Sequence, residues 1–386
     1  MQPWTDADVA AERMRRHGLA TPAADAVAAA ARSAGLQAQD VPASRLAVRA
    51  RTRGLTVADA VAATDGGHLV RTWLMRGTLH AVPAADVGWL VRLFGPVVAR
   101  RDRRRRLSLG LDDALCERAL AALPGVLAGG PLTRAALVAA LVRAGVEVNP
   151  KGQAPAHLVV FAAAAGVVCR GPDDGDEPTY VLLDSWVRDT GGPAGDDAVT
   201  ELTRRHLAAY APATADDVAT WAGLPVTAVR RAVAALGDEV TTVPAERTAG
   251  GDLLAPAGTA RPPAAAHRAW RLVPAFDGYL LGYADRTAVL RPAHARRVNA
   301  GGGWLHPCVV HGGRVVGTWR LDRAAGAVTV DLFDAAGAGG VDEVDRRALA
   351  AEASDVGRFL GIAAELRFAP PGDRRAPPAP GPSGDA

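Results

Sequence analysis

Pro212–Gly237 reads PATADDVATWAGLPVTAVRRAVAALG. Thr214 reads as the cap of a helix, and acidic Asp216 and Asp217 in its first turn favour the positive end of that helix. One helix is therefore expected up to the turn Trp221-Ala222-Gly223-Leu224-Pro225, and a second from Pro225 to Gly237. A short glycine-containing turn between two such segments is that of a helix-turn-helix. Glu201–Tyr210 supplies a helix before it, and Glu239–Pro244 (EVTTVP) a strand after it. Helix, helix, helix, β-ribbon is the order of a winged helix.

The order recurs upstream. Asp112-Asp113 opens a helix that Pro124-Gly125 is expected to break; Thr133 caps a second, closed by Gly145; a third runs from about Ala154 to Ala165. Val167–Asp184 then gives two short strands around an acidic turn. Nearer the N-terminus, Val9–His17, Ala24–Ser33 and Ser44–Arg53 have helix-forming composition, with Pro42 before the last. Thr56 opens another helix, Asp65-Gly66-Gly67 is expected to divide the corresponding helices of this first unit, and RTWLMRGTLHAV (Arg71–Val82) alternates like a strand pair. From Arg271 the composition turns to strands: RLVPAFDGYLLGY, TAVLRP, WLHPCVVHGGRVVGTWRL and AVTVDLF, with His311–Arg314 as a hairpin turn and a closing helix over Val344–Ile362. The expected class is α+β. Three tandem winged-helix units occupy 1–110, 111–195 and 196–270, followed by a β-rich region over 271–370. The Pro/Gly-rich tail 371–386 is expected to be disordered.

Composition bounds the function. The chain has 386 residues, 49% hydrophobic and 22% charged, which fits several soluble domains and excludes a mostly disordered chain. The longest uncharged apolar run, Leu158–Cys169, is shorter than the roughly 20 residues of a membrane-spanning helix. Asp6, Asp8 and Glu12 stand where a secretory signal would need an apolar core, so a cytoplasmic location is expected. Cys116, Cys169 and Cys308 are far apart, which argues against a disulfide framework or a zinc site. The net charge of +3 does not by itself point to nucleic acid. Its distribution is more telling. Lys151 is the sole lysine, and Arg100–Arg106 holds six arginines, Arg103 and Arg104 among them. That run reads either as a solvated helix surface or as a phosphate-contacting segment whose binding falls steeply with salt.

The sequence contains no nucleophile elbow, phosphate loop, dinucleotide fingerprint or zinc-protease motif. Two of its four glutamines stand together in Gly35-Leu36-Gln37-Ala38-Gln39-Asp40-Val41-Pro42. On a helix, residues i and i+2 point about 200° apart; on an extended backbone they share a face. Gly35 suits a helix stop and Pro42 pushes Val41 toward extended geometry, so Gln37 and Gln39 can project into one cleft. Taken alone, such a pair also reads as two surface glutamines. A second stretch offers Arg71, Arg76, Thr78 and His80 as donors to phosphate, or equally a strand pair with Trp73, Met75 and Leu79 as core.

In order, GLQAQ, RTWLMRGTLH, YAPATADDVATWAGL, LVPAFDGYLLGYADR and GGRVVGTWR resemble the winged-helix DNA glycosylases of the AlkZ/YcaQ-like family, from about Val27 to Arg320. Gln37-Ala38-Gln39 is similar to the Gln/Gln form of that family's catalytic motif, found in the branch that guards producers of DNA-alkylating natural products. The resemblance implies three tandem winged helices in a C shape around duplex DNA. It implies a monofunctional glycosylase that hydrolyses the N-glycosidic bond of N7-alkylguanine adducts or crosslinks and leaves an abasic site. Gln37 and Gln39 would be catalytic, with Thr78 and His80 on the DNA backbone near the lesion. Arg71 and Arg76 are weaker candidates, and Arg103 and Arg104 are further DNA contacts. No metal or other cofactor is expected. The partner is double-stranded DNA carrying alkylated guanine, and a monomer suffices. The competing reading is a non-catalytic winged-helix transcription regulator. Such regulators are typically symmetric dimers reading a palindrome, which three unlike units in one chain fit poorly.

Overall fold

The computed structural model describes residues 2–188, 191–246, 252–301, 303–333 and 341–370. The expected disordered tail, 371–386, lies outside them. The chain is an α+β protein folded as two compact units. One joins the residues up to Ala60 to those from Thr200 onward; the other is Val61–Val199.

In the first unit the helix-turn-helix forms as its sequence dictates. Thr214 and Asp217 close a reciprocal cap at the start of Ala215–Ala222. Gly223 ends that helix at φ 74°, a left-handed conformation that glycine adopts without a Cβ penalty. Val226–Leu236 follows, and then the antiparallel strands Val240–Val243 and Leu253–Pro256. The C-terminal region is a five-stranded sheet in the order Glu365–Phe368, Ala327–Leu332, Arg314–Asp322, Cys308–His311, Trp270–Val273. Its two faces are both apolar, because side chains alternate along each strand. Leu272 and Val309 point to the helix Glu343–Leu360, packing with Leu349, Ala353 and Val356. Val273, Cys308 and Val310 point the other way, onto Ala10, Met14 and Ala50 of the N-terminal helices Asp6–Arg16 and Val41–Arg51.

In the second unit, Leu69–Trp73 and Leu79–Pro83 pair antiparallel in the register Thr72 opposite His80. The strands Leu79–Pro83, Leu69–Trp73, Val168–Asp174, Glu177–Leu182 and Leu132–Thr133 lie side by side in that order. The 25-residue helix Ala84–Ser108, which the sequence reading did not assign, carries the arginine run at its C-terminal end.

Several expectations need correction. Pro124-Gly125 does not break its helix, which runs Asp113–Leu127. Leu123 and Leu127 are buried on one face while Pro124 is exposed, so the carbonyl that loses its donor faces solvent. Pro42 lies in the first turn of Val41–Arg51 rather than before it, where its missing N–H has no helical partner to lose. TAVLRP forms no strand: the amides of Val289 and Leu290 turn back onto the Arg286 carbonyl. In RLVPAFDGYLLGY the strand stops at Val273, because the Asp277 carboxylate accepts from the Tyr279 amide and caps the short helix Gly278–Leu281. Among the described residues, no helix is long and apolar enough to cross a membrane.

Candidate active site

The helix Ala26–Arg32 ends at Ser33, and the chain then takes two consecutive positive φ angles, Ala34 at 51° and Gly35 at 104°. Gly35 tolerates this; Ala34 carries about 1–2 kcal/mol of steric strain. The chain leaves this turn extended. Leu36 and Ala38 are buried, whereas Gln37 is half-buried and Gln39 exposed. Strand geometry covers only Leu36–Gln37 and Gln39 follows in a bend, so the alternation marks both glutamines as more accessible than Leu36 and Ala38. Asp40 stops the extended run by accepting from the Ala43 amide, which starts Val41–Arg51. The side-chain carbonyl oxygen of Gln37, Oε1, is buried and has no hydrogen-bond partner among the described residues. Such an atom is costly, and in native proteins it asks for a ligand or a water.

Both ends of this segment are held from the same unit. Tyr210, fully buried, donates its hydroxyl to the Ser33 carbonyl at 3.2 Å. Its ring lies against His17 edge-on at 4.2 Å and stacks on His206 at 4.4 Å. Gly278 and Gly282 make room for it: a Cβ at 278 would sit 3.1 Å from the hydroxyl, and one at 282 would overlap the ring. At the far end of Val41–Arg51, Arg51 grips Asp277 through two hydrogen bonds of 2.8 and 2.6 Å. Burial opposes the Arg51 charge, but Asp277 more than offsets it and holds the guanidinium above its usual range. Arg51 also donates to His17 Nδ1 at 2.8 Å. Arg49 binds Glu352, Asp355 and the Leu272 carbonyl. Burial and then Arg51 push the His17 imidazole well below its usual pKa, so it is neutral and the guanidinium charge belongs to Asp277. The sequence reading missed Arg49, Arg51 and Glu352. Asp277 is the second clamp on the helix that follows the glutamines.

The remaining candidates lie in the Val61–Val199 unit, and two need correction. Arg71 is not available to a phosphate. It is buried, binds Asp173 with two bonds of 2.9 Å, and donates to the Gly171 carbonyl at 2.6 Å. His80 is no cation either. Burial, and next the Arg76 charge, lower its pKa to about 3. Its Nδ1 lies 2.8 Å from the Thr78 carbonyl, which can only accept, so Nδ1 carries the proton and Nε2 is an acceptor. The Thr78 hydroxyl donates to the Met75 carbonyl at 3.1 Å. Arg76 sits at the tip of the turn between the two strands at φ 56°, and its carbonyl accepts from Arg101 at 2.7 Å.

The arginine run divides by helix face. Arg106 is buried against Asp113, Cys116 and the Leu111 carbonyl, so the run is neither wholly a solvated surface nor wholly open to phosphate. Arg105 donates to Gln153 at 3.2 Å, and Arg103, largely exposed, to Asp113 at 3.1 Å. Arg104 is exposed and forms no ion pair among the described residues. Among the described residues, no cluster of three or more His, Cys, Asp or Glu is placed to hold a metal ion.

The chain is similar to known proteins. An interstrand DNA cross-link repair glycosylase of Streptomyces sahachiroi is 31% identical over 262 residues, which is 66% of this chain and 70% of that protein. Among solved structures, the DNA glycosylase AlkZ of Streptomyces sahachiroi matches with a TM-score of 0.77 at 27% identity, over 95% of this chain and 100% of that one. The profile of the DNA glycosylase AlkZ-like family matches residues 30–359, from the helix before the glutamines to the helix that closes the sheet. The chain belongs to this family and is a DNA glycosylase.

Proposed function

We propose that this glycosylase hydrolyses the N-glycosidic bond of N7-alkylguanine in duplex DNA, in adducts or interstrand crosslinks, and leaves an abasic site as a monofunctional enzyme. The observation that carries the reading is the pair Gln37 and Gln39, alternating with buried Leu36 and Ala38, with the Gln37 carbonyl oxygen buried and without a donor among the described residues. Most glycosidases need a carboxylic acid to protonate the leaving group. An N7-alkylated guanine already carries positive charge and departs as a neutral base, so no general acid is required. What remains is to hold a water and to stabilise the positive charge that develops on the sugar. A glutamine carbonyl accepts from water while its amide donates elsewhere. Two carbonyl dipoles aimed at the sugar favour the cationic transition state without repelling phosphate. Gln39, the exposed member, positions the water; Gln37 supports the sugar and that water.

In the same reading the chain carries three tandem winged helices. The order helix, helix, helix, ribbon over Gly195–Pro256 and again over Asp113–Leu182 supports this. Thr78, Arg76, Arg103 and Arg104 contact the DNA backbone. Neutral His80 reaches it through a water that donates both to Nε2 and to a phosphate oxygen. The crosslink-repair name of the relative that is 31% identical supports a bulky or crosslinked substrate for the purpose of self-protection or repair. An open cleft takes such a base more readily than a tight base-flipping pocket does.

The test is product analysis. Duplex DNA with a single N7-methylguanine, and a second duplex with a bulky N7 adduct, are incubated with the protein. The expected result is free alkylguanine by mass spectrometry and an alkali-labile site at that position. Release of neither base, together with tight binding to one undamaged sequence, would overturn the proposal in favour of a regulator.

A further inference from the structure

The sheet unit holds a small basic cavity whose wall, among the described residues, carries no carboxylate. It measures about 50 Å³, and its lining includes Arg291, His294, Arg314, Val289 and Phe333. A cavity needs about 10–15 Å³ to hold one water-sized group, so this one takes a cluster of about four such atoms and excludes a nucleobase. Arg314 is half-buried, its Nε is fully buried, and it makes no hydrogen bond or ion pair among the described residues. Arginine keeps its proton, and a buried N–H donor without an acceptor is costly. Neighbouring acids are committed elsewhere: Asp331 binds Arg297 at 2.8 Å, and Asp285 accepts from the Thr287 amide and hydroxyl at 2.8 and 2.9 Å.

The backbone that presents Arg314 is rigid. His311 and Arg314 face each other across a two-residue hairpin, with Gly312 at φ 55° and Gly313 at φ 84°. A Cβ at Gly313 would collide with the Ala10 carbonyl, and the Gly313 carbonyl accepts from the buried Tyr279 hydroxyl. The next residue, Val315, donates its amide to the Val289 carbonyl at 2.7 Å, which ties the hairpin strand to the opposite wall of the cavity. Arg286, at the head of the turn that leads to Val289, is also half-buried and without a partner among the described residues. Two arginines therefore lack an anion within one short stretch of structure, and one of them is locked in a cavity of matching size.

The geometry points to a phosphate subsite: the cavity walled by Arg291, His294 and Arg314 takes one phosphodiester group of DNA, with Arg314 as its principal ligand. An arginine fork presents paired N–H donors to two phosphate oxygens. This deepens the glycosylase reading, since it assigns to the C-terminal sheet a backbone contact that orients the duplex, and it rests on that reading only for the identity of the polymer.

The test measures binding to undamaged duplex by fluorescence anisotropy across a salt series, so that it does not depend on base excision. Arg314→Gln is expected to weaken binding about tenfold and to lower the slope of log affinity against log salt by about 0.9, one phosphate's worth. Arg314→Lys restores most of the slope, and Arg347→Ala, on the exposed face of Glu343–Leu360, changes neither quantity. The melting temperature of Arg314→Gln equals or exceeds that of the parent, because an unpartnered charge is removed; a side chain needed for packing would lower it instead. Unchanged affinity and slope in a folded Arg314→Gln protein would overturn the assignment. So would stabilisation by millimolar inorganic phosphate that Arg314→Gln abolishes without altering the DNA salt slope, since the cavity would then serve a free anion. Should Arg314→Gln fail to fold, Arg314→Lys decides alone, and an unaltered fork-dependent affinity in it refutes the paired-oxygen contact.

Discussion

Gln37 sets a conflict at the level of a single residue. Its carbonyl oxygen is buried without a donor. Leaving such an atom unsatisfied costs about 1–3 kcal/mol. A methionine of nearly the same shape has no such atom, so Gln37→Met is expected to stabilise the protein by about 1 kcal/mol in urea unfolding while removing base excision. Destabilisation would show instead that Gln37 is a structural residue. Gln39 is exposed, and Gln39→Ala should leave stability within about 0.5 kcal/mol. Gly282 carries the opposite lesson. Its Cβ would overlap the Tyr210 ring, whose hydroxyl holds the turn before the glutamines. Gly282→Ala should cost about 1–3 kcal/mol through overpacking, read as a lower urea midpoint. The sequence made the break in helix at Gln37 and Gln39 legible, because Gly35 and Pro42 limit the backbone locally. It did not make Arg51 legible, because its partner Asp277 lies 226 residues away and only the fold joins them.

Among the elements, those set by local chemistry were readable. Thr214 with Asp217, Thr133 and Asp112 all cap helices as their residue types require. The readings that failed are those where packing overrules a local breaker. Gly125 stands inside Asp113–Leu127 with nothing near its missing Cβ. If the helix runs through, Gly125→Ala should add about 0.5–1 kcal/mol of stability by removing glycine's entropy penalty. A null or negative effect in chemical denaturation would restore the break expected from Pro124-Gly125. The long helix Ala84–Ser108 escaped because its arginine run hides the periodicity: only Arg106 of that run turns inward, and it does so for Asp113 and Cys116. TAVLRP was read as a strand from its β-branched residues, yet a turn closes onto Arg286 first.

Across the whole molecule, each unit buries a histidine that resists protonation. His206 in one and His80 in the other have pKa values lowered from 6.5 to about 3, chiefly by burial. Unfolded, each takes up a proton near pH 6.5; folded, neither does until about pH 3. Stability is therefore full above about pH 6.5 and is lost as pH falls toward about 3, by about 1.4 kcal/mol per pH unit for each histidine. At about pH 5 the Val61–Val199 unit should be weaker by on the order of 2 kcal/mol than at about pH 7.5, and the other unit, which also buries neutral His17, by more, visible as earlier urea transitions; pH-independent midpoints would refute the buried neutral state. The fold class and family were legible because the motifs are spread along most of the chain. The chemistry of Arg71 and His80 was not, since exposure and partner decide it rather than residue type.

The central claim is that two neutral glutamines cut the glycosidic bond. The most direct test is single-turnover excision of N7-methylguanine from duplex DNA by the parent, Gln37→Ala and Gln39→Ala, with binding to the same duplex followed in parallel. The account predicts a rate loss of about 100-fold or more in each variant, on the scale of losing one positioned catalytic dipole, with affinity within about threefold. Excision at the parent rate in both variants would contradict it.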